Sequence, residues 1–429
     1  MRNFRVWVGL ATMFAAMSLV GCGGHGSSNA ANVRLVNATL SHASLNLLAN
    51  SGTVVSGTAI NTVSSYATVS TGSVVLQIND ATTNTVLTTT APTLVSGQDY
   101  AVVAYESGGT LLTSVIQENT AAPVSGTANL RIFNTAADAG AIDIYVTDPS
   151  TDLSTVSTPT FSLVSSSSTQ ATGFLSLASG STYRIRVTGS GNVADLRLDI
   201  PAVTLSNQQN ATVLLTPTTG GTLVNGSVLV EQGTYTATAN ANARVRLVAA
   251  VTPGAAVAAS AGTTPISTTL TSPSVGAYTI VPSGASLNIT VNGASVAAPA
   301  TPLAAGSDTT LLVYGSTAAP TANLIADDNH LPTIVTNFKL RLINGLTGAA
   351  TPLTLDANFA VIASNVAPGS ASAYSVVASS LDTRLDVFSP ANPTAIYSES
   401  TLNVPGDAVY TLFMLGDAGV PIHLLQRDH

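Results

Sequence analysis

Few residues in this 429-residue chain are equipped for chemistry. One cysteine (Cys22), one lysine (Lys339) and five histidines (His25, His42, His330, His423 and His429) are its whole supply of strong nucleophiles and bases. The histidines are scattered, without the His-x-x-x-His spacing that sets two imidazoles on one helix face as zinc ligands, and His25 and His429 read as solvated ends. No Gly-x-Ser-x-Gly elbow occurs, and Lys339 has no serine three residues before it, so a Ser-x-x-Lys pair is impossible. The densest acidic stretch is Asp138, Asp143, Asp148 and Asp152. It lacks the Asp-x-Asp-x-Asp-Gly order of a calcium loop and reads as a solvated rim. A carboxylate pair for glycoside hydrolysis would need a sugar cleft lined with aromatics, and the single tryptophan, Trp7, lies in a segment that reads as a removable leader. The run Ala326-Asp327-Asp328-Asn329-His330 could offer hard oxygen ligands to calcium. Yet Asp328 stands 13 residues before Arg341 and Glu118 stands 13 before Arg131, each followed by Asn. A feature repeated in this way favours a structural junction with an Arg–carboxylate pair over a calcium site. No catalytic residue, metal or cofactor is expected.

The chemistry that remains is at Cys22. Met1-Arg2-Asn3-Phe4-Arg5 is short and basic, and Val6 to Val20 is uncharged, mostly apolar, and too short for a membrane span. The run closes on Leu19-Val20-Gly21-Cys22, which resembles the bacterial lipobox. The resemblance implies a thioether-linked diacylglycerol at Cys22, cleavage before it and acylation of the new amino terminus. Several acyl chains anchor stably where one binds only marginally. Gly23 rather than Asp follows, which by analogy with enteric sorting favours the outer membrane.

The chain left after cleavage keeps 11 basic and 21 acidic residues, a formal charge of −10. Such a chain repels nucleic acid and carries no basic stripe for phosphates. With Cys22 lipidated no disulfide forms, so burial alone must stabilise each domain, which favours units of roughly a hundred residues. Only 8% of residues are charged, and β-branched and aliphatic types abound, which excludes disorder. Apolar stretches beyond the leader, such as residues 245–261, are broken by Pro and Gly before the ~20 residues of a helical span.

A repeat organises the rest. Arg34, Arg131, Arg246 and Arg341 each sit inside an apolar strand, 97, 115 and 95 residues apart. Tyr66, Tyr278 and Tyr374 follow their arginines by 32, 32 and 33 residues; Phe174 follows by 43, after an insertion in the Ser/Thr-rich stretch 150–172. A Gly- or Asn-containing turn then feeds a strand at Tyr100, Ala211, Thr310 and Tyr410. About seven short apolar or alternating segments per copy, bounded by Gly, Pro, Asn and Ser, predict an all-β chain of tandem immunoglobulin-like or Greek-key sandwiches. The segments are shorter than the ~9–11 residues of membrane-barrel strands. The expected layout is a signal peptide over 1–21, a flexible tether over 22–31, and sandwich repeats over 32–125, 126–240, 241–336 and 337–429, each able to fold alone. The recurring Tyr/Phe position reads as sandwich core rather than as a ladder for stacking a ligand.

The second copy, Leu130-Arg131-Ile132-Phe133-Asn134 through Asp138 to Asp143-Ile144-Tyr145-Val146, resembles the opening of the bacterial family called domain of unknown function 4397. That family typically has an Arg-containing strand, then His-Ala-Ser-Pro-Asp-Ala-Pro, then Val-Asp-Val-Tyr-Val. Here Asn134 replaces the His, and Ala136 or Ala137 and Gly140 replace the prolines; in copy one, Asn46 stands where Asp143 does. The resemblance spans residues 30–429. It implies a β-sandwich in exported, often lipid-anchored proteins and brings no activity. The expected function is therefore a non-enzymatic, lipid-anchored envelope protein at the outer membrane, a structural or interaction module for adhesion or scaffolding. Its partners would be the membrane through Cys22 and an envelope protein or glycan, not nucleic acid. The alternatives are a binder of a glycan or surface polymer and, with only clustered loop acids behind it, an envelope hydrolase.

Overall fold

The computed structural model describes residues 29–429 except 108, 349, 350, 391 and 393. The leader, Cys22 and His25 lie outside the described residues. The first strand begins at Ala30, within the last two residues of the range expected for the tether.

The expected tandem β-sandwiches are what the chain forms. Each copy opens on its arginine strand, Ala30–Asn37, Thr127–Asn134, Asn242–Val251 or Asn337–Thr347. That strand pairs in parallel with the penultimate long strand, Asp99–Ser107, Asn210–Pro217, Asp308–Ser316 or Ala408–Asp417. The last strand, Thr110–Gln117, Val224–Val230, Ala319–Asp327 or Val420–Arg427, adds antiparallel to the penultimate one. Short strands near the repeated aromatic complete this sheet, and a four-stranded antiparallel sheet covers one of its faces. Alternation explains the packing between the two sheets. In copy one, Val33 and Leu35 point into a core shared with Leu45, Leu47, Leu76 and Ile78.

The other face of the arginine sheet is also buried. Val36, Ala101, Val103, Tyr105 and Ile116 of copy one form one cluster with Phe133, Leu214 and Leu229 of copy two. Val248, Ala250 and Leu312 of copy three do the same with Ile343, Phe413 and Leu415 of copy four. The copies are thus joined in two pairs, one–two and three–four, through sheet-on-sheet packing. The approach is close. A Cβ on Gly345 of copy four would stand 2.8 Å from that of Ala250 in copy three, so glycine is what lets the sheets meet there.

Candidate functional site: the repeated arginine clusters

Each arginine strand puts its guanidinium on the face that meets the partner copy, because Arg34 and Val36, or Arg341 and Ile343, are two residues apart and share a side. Arg246 and Arg341 are the two largest fully buried side chains among the described residues. A buried charge must be paired, and each arginine meets the same set of neighbours. The repeated aromatic lies under it: Arg34 over Tyr66 at 5.1 Å, Arg131 over Phe174 at 4.7 Å, Arg246 over Tyr278 at 4.7 Å and Arg341 over Tyr374 at 4.6 Å. In copies two to four Nε donates to a threonine of the penultimate strand, Thr212, Thr310 or Thr411. Copy one has Ala101 at that register, and Arg34 Nε turns to Glu118 Oε2 at 2.7 Å.

The carboxylates come from the end of each last strand: Glu118, Glu231, Asp327 and Asp428. In the first pair each arginine takes the acid of its own copy and reaches for the backbone of the other. Arg34 pairs with Glu118 and donates to the Val230 and Gly233 carbonyls. Arg131 pairs with Glu231 at 3.3 Å and donates to the Gln117 carbonyl. In the second pair the acids are exchanged. Arg341 pairs with Asp327 of copy three and Arg246 with Asp428 of copy four. Tyr66 donates to Glu118 and Tyr278 to Asp327, both at 2.5 Å. Burial, and then the bond to Glu118, push the Tyr66 phenol far above its usual range. Burial works against the charge of Arg246, but Tyr278, Asp428 and Asp327 outweigh it and hold its pKa above the ordinary arginine value. At Arg131, burial prevails over Glu231 and the pKa is lowered. The Tyr374 hydroxyl is buried without a hydrogen-bond partner among the described residues.

Several sequence expectations are corrected here. The Arg–carboxylate junction is present, but Asp327, not Asp328, is the equivalent of Glu118. Each lies opposite the first residue of its penultimate strand, Asp308 or Asp99. A one-residue slip along a strand moves a side chain to the other face. Asp328 instead pairs with Lys339 at 2.5 Å and His330 at 2.7 Å, and its pKa is held below the usual carboxylate range by these bonds against burial. Both acids thus face cations of the protein itself, an arrangement unlike a calcium site. Among the described residues no three His, Cys, Asp or Glu side chains gather as metal ligands. The repeated aromatics are half-buried at the joint between copies rather than in a sandwich core. Asp138 and Asp143 are not solvated: Asp138 accepts from Leu331 N at 2.8 Å and Asp143 from Leu163 N and Gly191 N at 2.8 Å. Asp148 and Asp152 do stay at the rim and accept from Ser150 and Ser154. His429 is no solvated end; its Nδ1 lies 2.7 Å from the Asn329 carbonyl. His42 is 3.3 Å from Glu106, and His423 stacks on Tyr397 at 4.2 Å.

Sequence reasoning missed Glu231 and Asp428. The signal was available: an acid closes the last apolar strand of all four copies.

The comparisons agree with the resemblance carried by the arginine strands. Residues 31–145 match the family model described as Domain of unknown function (DUF4397). The DUF4397 match covers the first copy and enters the second as far as Asp143-Ile144-Tyr145. No curated protein matches this sequence. Among solved structures, a candidate cell adhesion protein from Bacteroides uniformis aligns with 48% of this chain and 97% of its own, at 12% identity and a TM-score of 0.21. A multi-modular glycogen-degrading pneumococcal virulence factor, SpuA, aligns with 85% of this chain and 37% of its own, at 8% identity and a TM-score of 0.15.

Proposed function

We propose that the chain is a non-enzymatic, lipid-anchored protein of the bacterial outer membrane that acts as a structural or interaction module, for adhesion or scaffolding. The observation that carries this reading is the use made of the charged groups. Buried arginines, the residues best able to bind or activate a substrate, hold copy to copy, through backbone carbonyls in the first pair and through exchanged acids in the second. What the paired architecture offers outward is two coupled bodies with their second sheets and loops on the outside, as a spacer or scaffold would. The lipid on Cys22, the first residue left after cleavage of the 1–21 leader, supplies the tether to the membrane. The test is Cys22→Ser in the native host, with palmitate labelling, fractionation and cross-linking of intact envelopes. The proposal expects loss of label, release from the membrane fraction and loss of envelope cross-links. Wild-type labelling of the variant would overturn the anchor, and turnover of an envelope polymer by the purified protein would overturn the non-enzymatic role.

A further inference from the structure

Besides the exchange of acids, the two pairs of copies differ along one free edge. In copy two the chain turns back after its last strand, Val224–Val230, and adds a further strand, Tyr235–Thr238, antiparallel along the free edge. Gly226 faces Thr238, and Leu229 faces Tyr235. The added strand lies against Thr62–Val63 of copy one. It is held by Thr234 O, which accepts from Val230 N at 2.9 Å, and by Gly233 O, which accepts from Arg34.

Among the described residues, copy three has the same edge without the strand. Ala326 is the equivalent of Val230. Each is paired with the penultimate-strand residue (Thr309 or Ala211) that lies beside the residue preceding the repeated arginine. The likeness extends to the partner copy, because the Ala326 carbonyl accepts from Arg341 at 3.0 Å as the Val230 carbonyl does from Arg34 at 2.9 Å. After Asp327 the chain does not turn back. It is drawn away by Asp328, which pairs with Lys339, and by His330, whose Nε2 lies 3.1 Å from Thr218 O. A groove of about 820 Å³ runs beside this edge. One wall is every residue from Ala322 to Asp328, and unbroken lining by consecutive residues means that the strand meets the groove edge-on. The opposite wall is Gly369 to Tyr374 of copy four, which contains Ser370–Ala371, the counterpart of Thr62–Val63. The partnerless Tyr374 hydroxyl belongs to that wall.

We propose that this groove is a strand-receiving slot, and that its occupant is an extended segment of a partner protein added antiparallel to Ala319–Asp327. Edge addition supplies affinity through main-chain bonds and selectivity through alternate side chains. The chemistry of the occupant follows from the segment that fills the sibling slot, Tyr235-Thr236-Ala237-Thr238: small and β-branched residues with one aromatic, and no charge. The proposal rests on the interaction reading above and names the partner class.

The test uses the full mature chain and, as probe, the heptapeptide of residues 233–239 (Gly-Thr-Tyr-Thr-Ala-Thr-Ala). Amide hydrogen exchange over residues 322–326 should slow at least about tenfold as the peptide saturates. Ala326→Pro, at an exposed edge position, should abolish the protection while the rest of the exchange pattern stays unchanged. No slowing, or slowing that survives Ala326→Pro, overturns the slot. Protection that grows with protein concentration without peptide makes a second copy of the chain the occupant and overturns the partner assignment. A photo-cross-linker placed in cells at Ala326, and separately at exposed Phe359, keeps the two readings apart. Adducts at Phe359 alone overturn the slot and leave the interaction module standing; adducts at neither overturn both.

Discussion

Arg341 of the fourth copy and Asp327 of the third form an ion pair across the joint between them, with side chains 1% and 0% exposed. Thr310 and Tyr278 also donate to Asp327, at 2.7 and 2.5 Å, so its carboxylate is fully engaged by two copies at once. Removing one partner of such a pair leaves the other charged and buried. Arg341→Ala should therefore cost about 3–5 kcal/mol, read as a shift of the denaturant midpoint for the transition that unfolds copies three and four. A loss below about 1 kcal/mol, the worth of an exposed pair, would show that water reaches the site.

The phenols should separate by partner. Tyr278→Phe removes a donor from Asp327 and should cost about 1–3 kcal/mol. Tyr374→Phe removes a buried hydroxyl without a partner among the described residues and should be neutral or stabilising. Thermal unfolding of the two variants side by side checks this, and equal losses would refute the difference.

The pairing of copies predicts which fragments are stable. Residues 29–240 and 241–429 each bury a complete joint, whereas 241–336 alone would expose Val248, Ala250 and Leu312 around Arg246, which loses Asp428 and keeps only Asp327, 4.0 Å away. Circular dichroism and sedimentation should show the two-copy fragments folded and monomeric, and the single copy self-associating or unfolded. A stable, monomeric single copy would show that the joint contributes little.

Asp308 gives the chain a pH signature. It sits where copies two and three touch, with Gly220 so close that a Cβ there would lie 2.7 Å from Asp308 Oδ1. Burial, only partly offset by Arg244, raises its pKa from 3.8 to about 6. The native state therefore binds this proton more tightly than the unfolded chain does. The group's contribution is most favourable below the unfolded value and falls as pH rises through the folded one, by on the order of 3 kcal/mol. Asp308→Asn should flatten the stability profile between about pH 4 and 6, measured by urea unfolding. An unchanged slope would remove Asp308 as its source.

The repeat, the strand content and the arginine and aromatic positions were legible because each leaves a local mark. The pairing of copies was harder to see, although a trace exists. Val36, Phe133, Val248 and Ile343 follow the arginines by two residues and so share their side of the strand, and an apolar residue beside a charge on a supposedly wet face marks a second buried surface. A repeated ring looks the same in sequence whether it packs within a copy or between copies, so the aromatic position alone does not separate sandwich core from joint. Glu231 and Asp428 escaped notice because the spacing from arginine to acid changes with every intervening loop. Only their place at the end of the last strand is constant. The exchange of acids in the second pair depends on how two sheets dock, which no local pattern encodes.

The central claim is that charge couples one copy to the next, and a double-mutant cycle between Arg341→Met and Asp327→Leu in the full mature chain tests it most directly. The two residues belong to different copies, so their coupling energy reads the joint itself. The account predicts a coupling of about 1.5–3 kcal/mol, with the double variant less destabilised than the sum of the singles. Single-variant losses that add to within about 0.3–0.5 kcal/mol would contradict it.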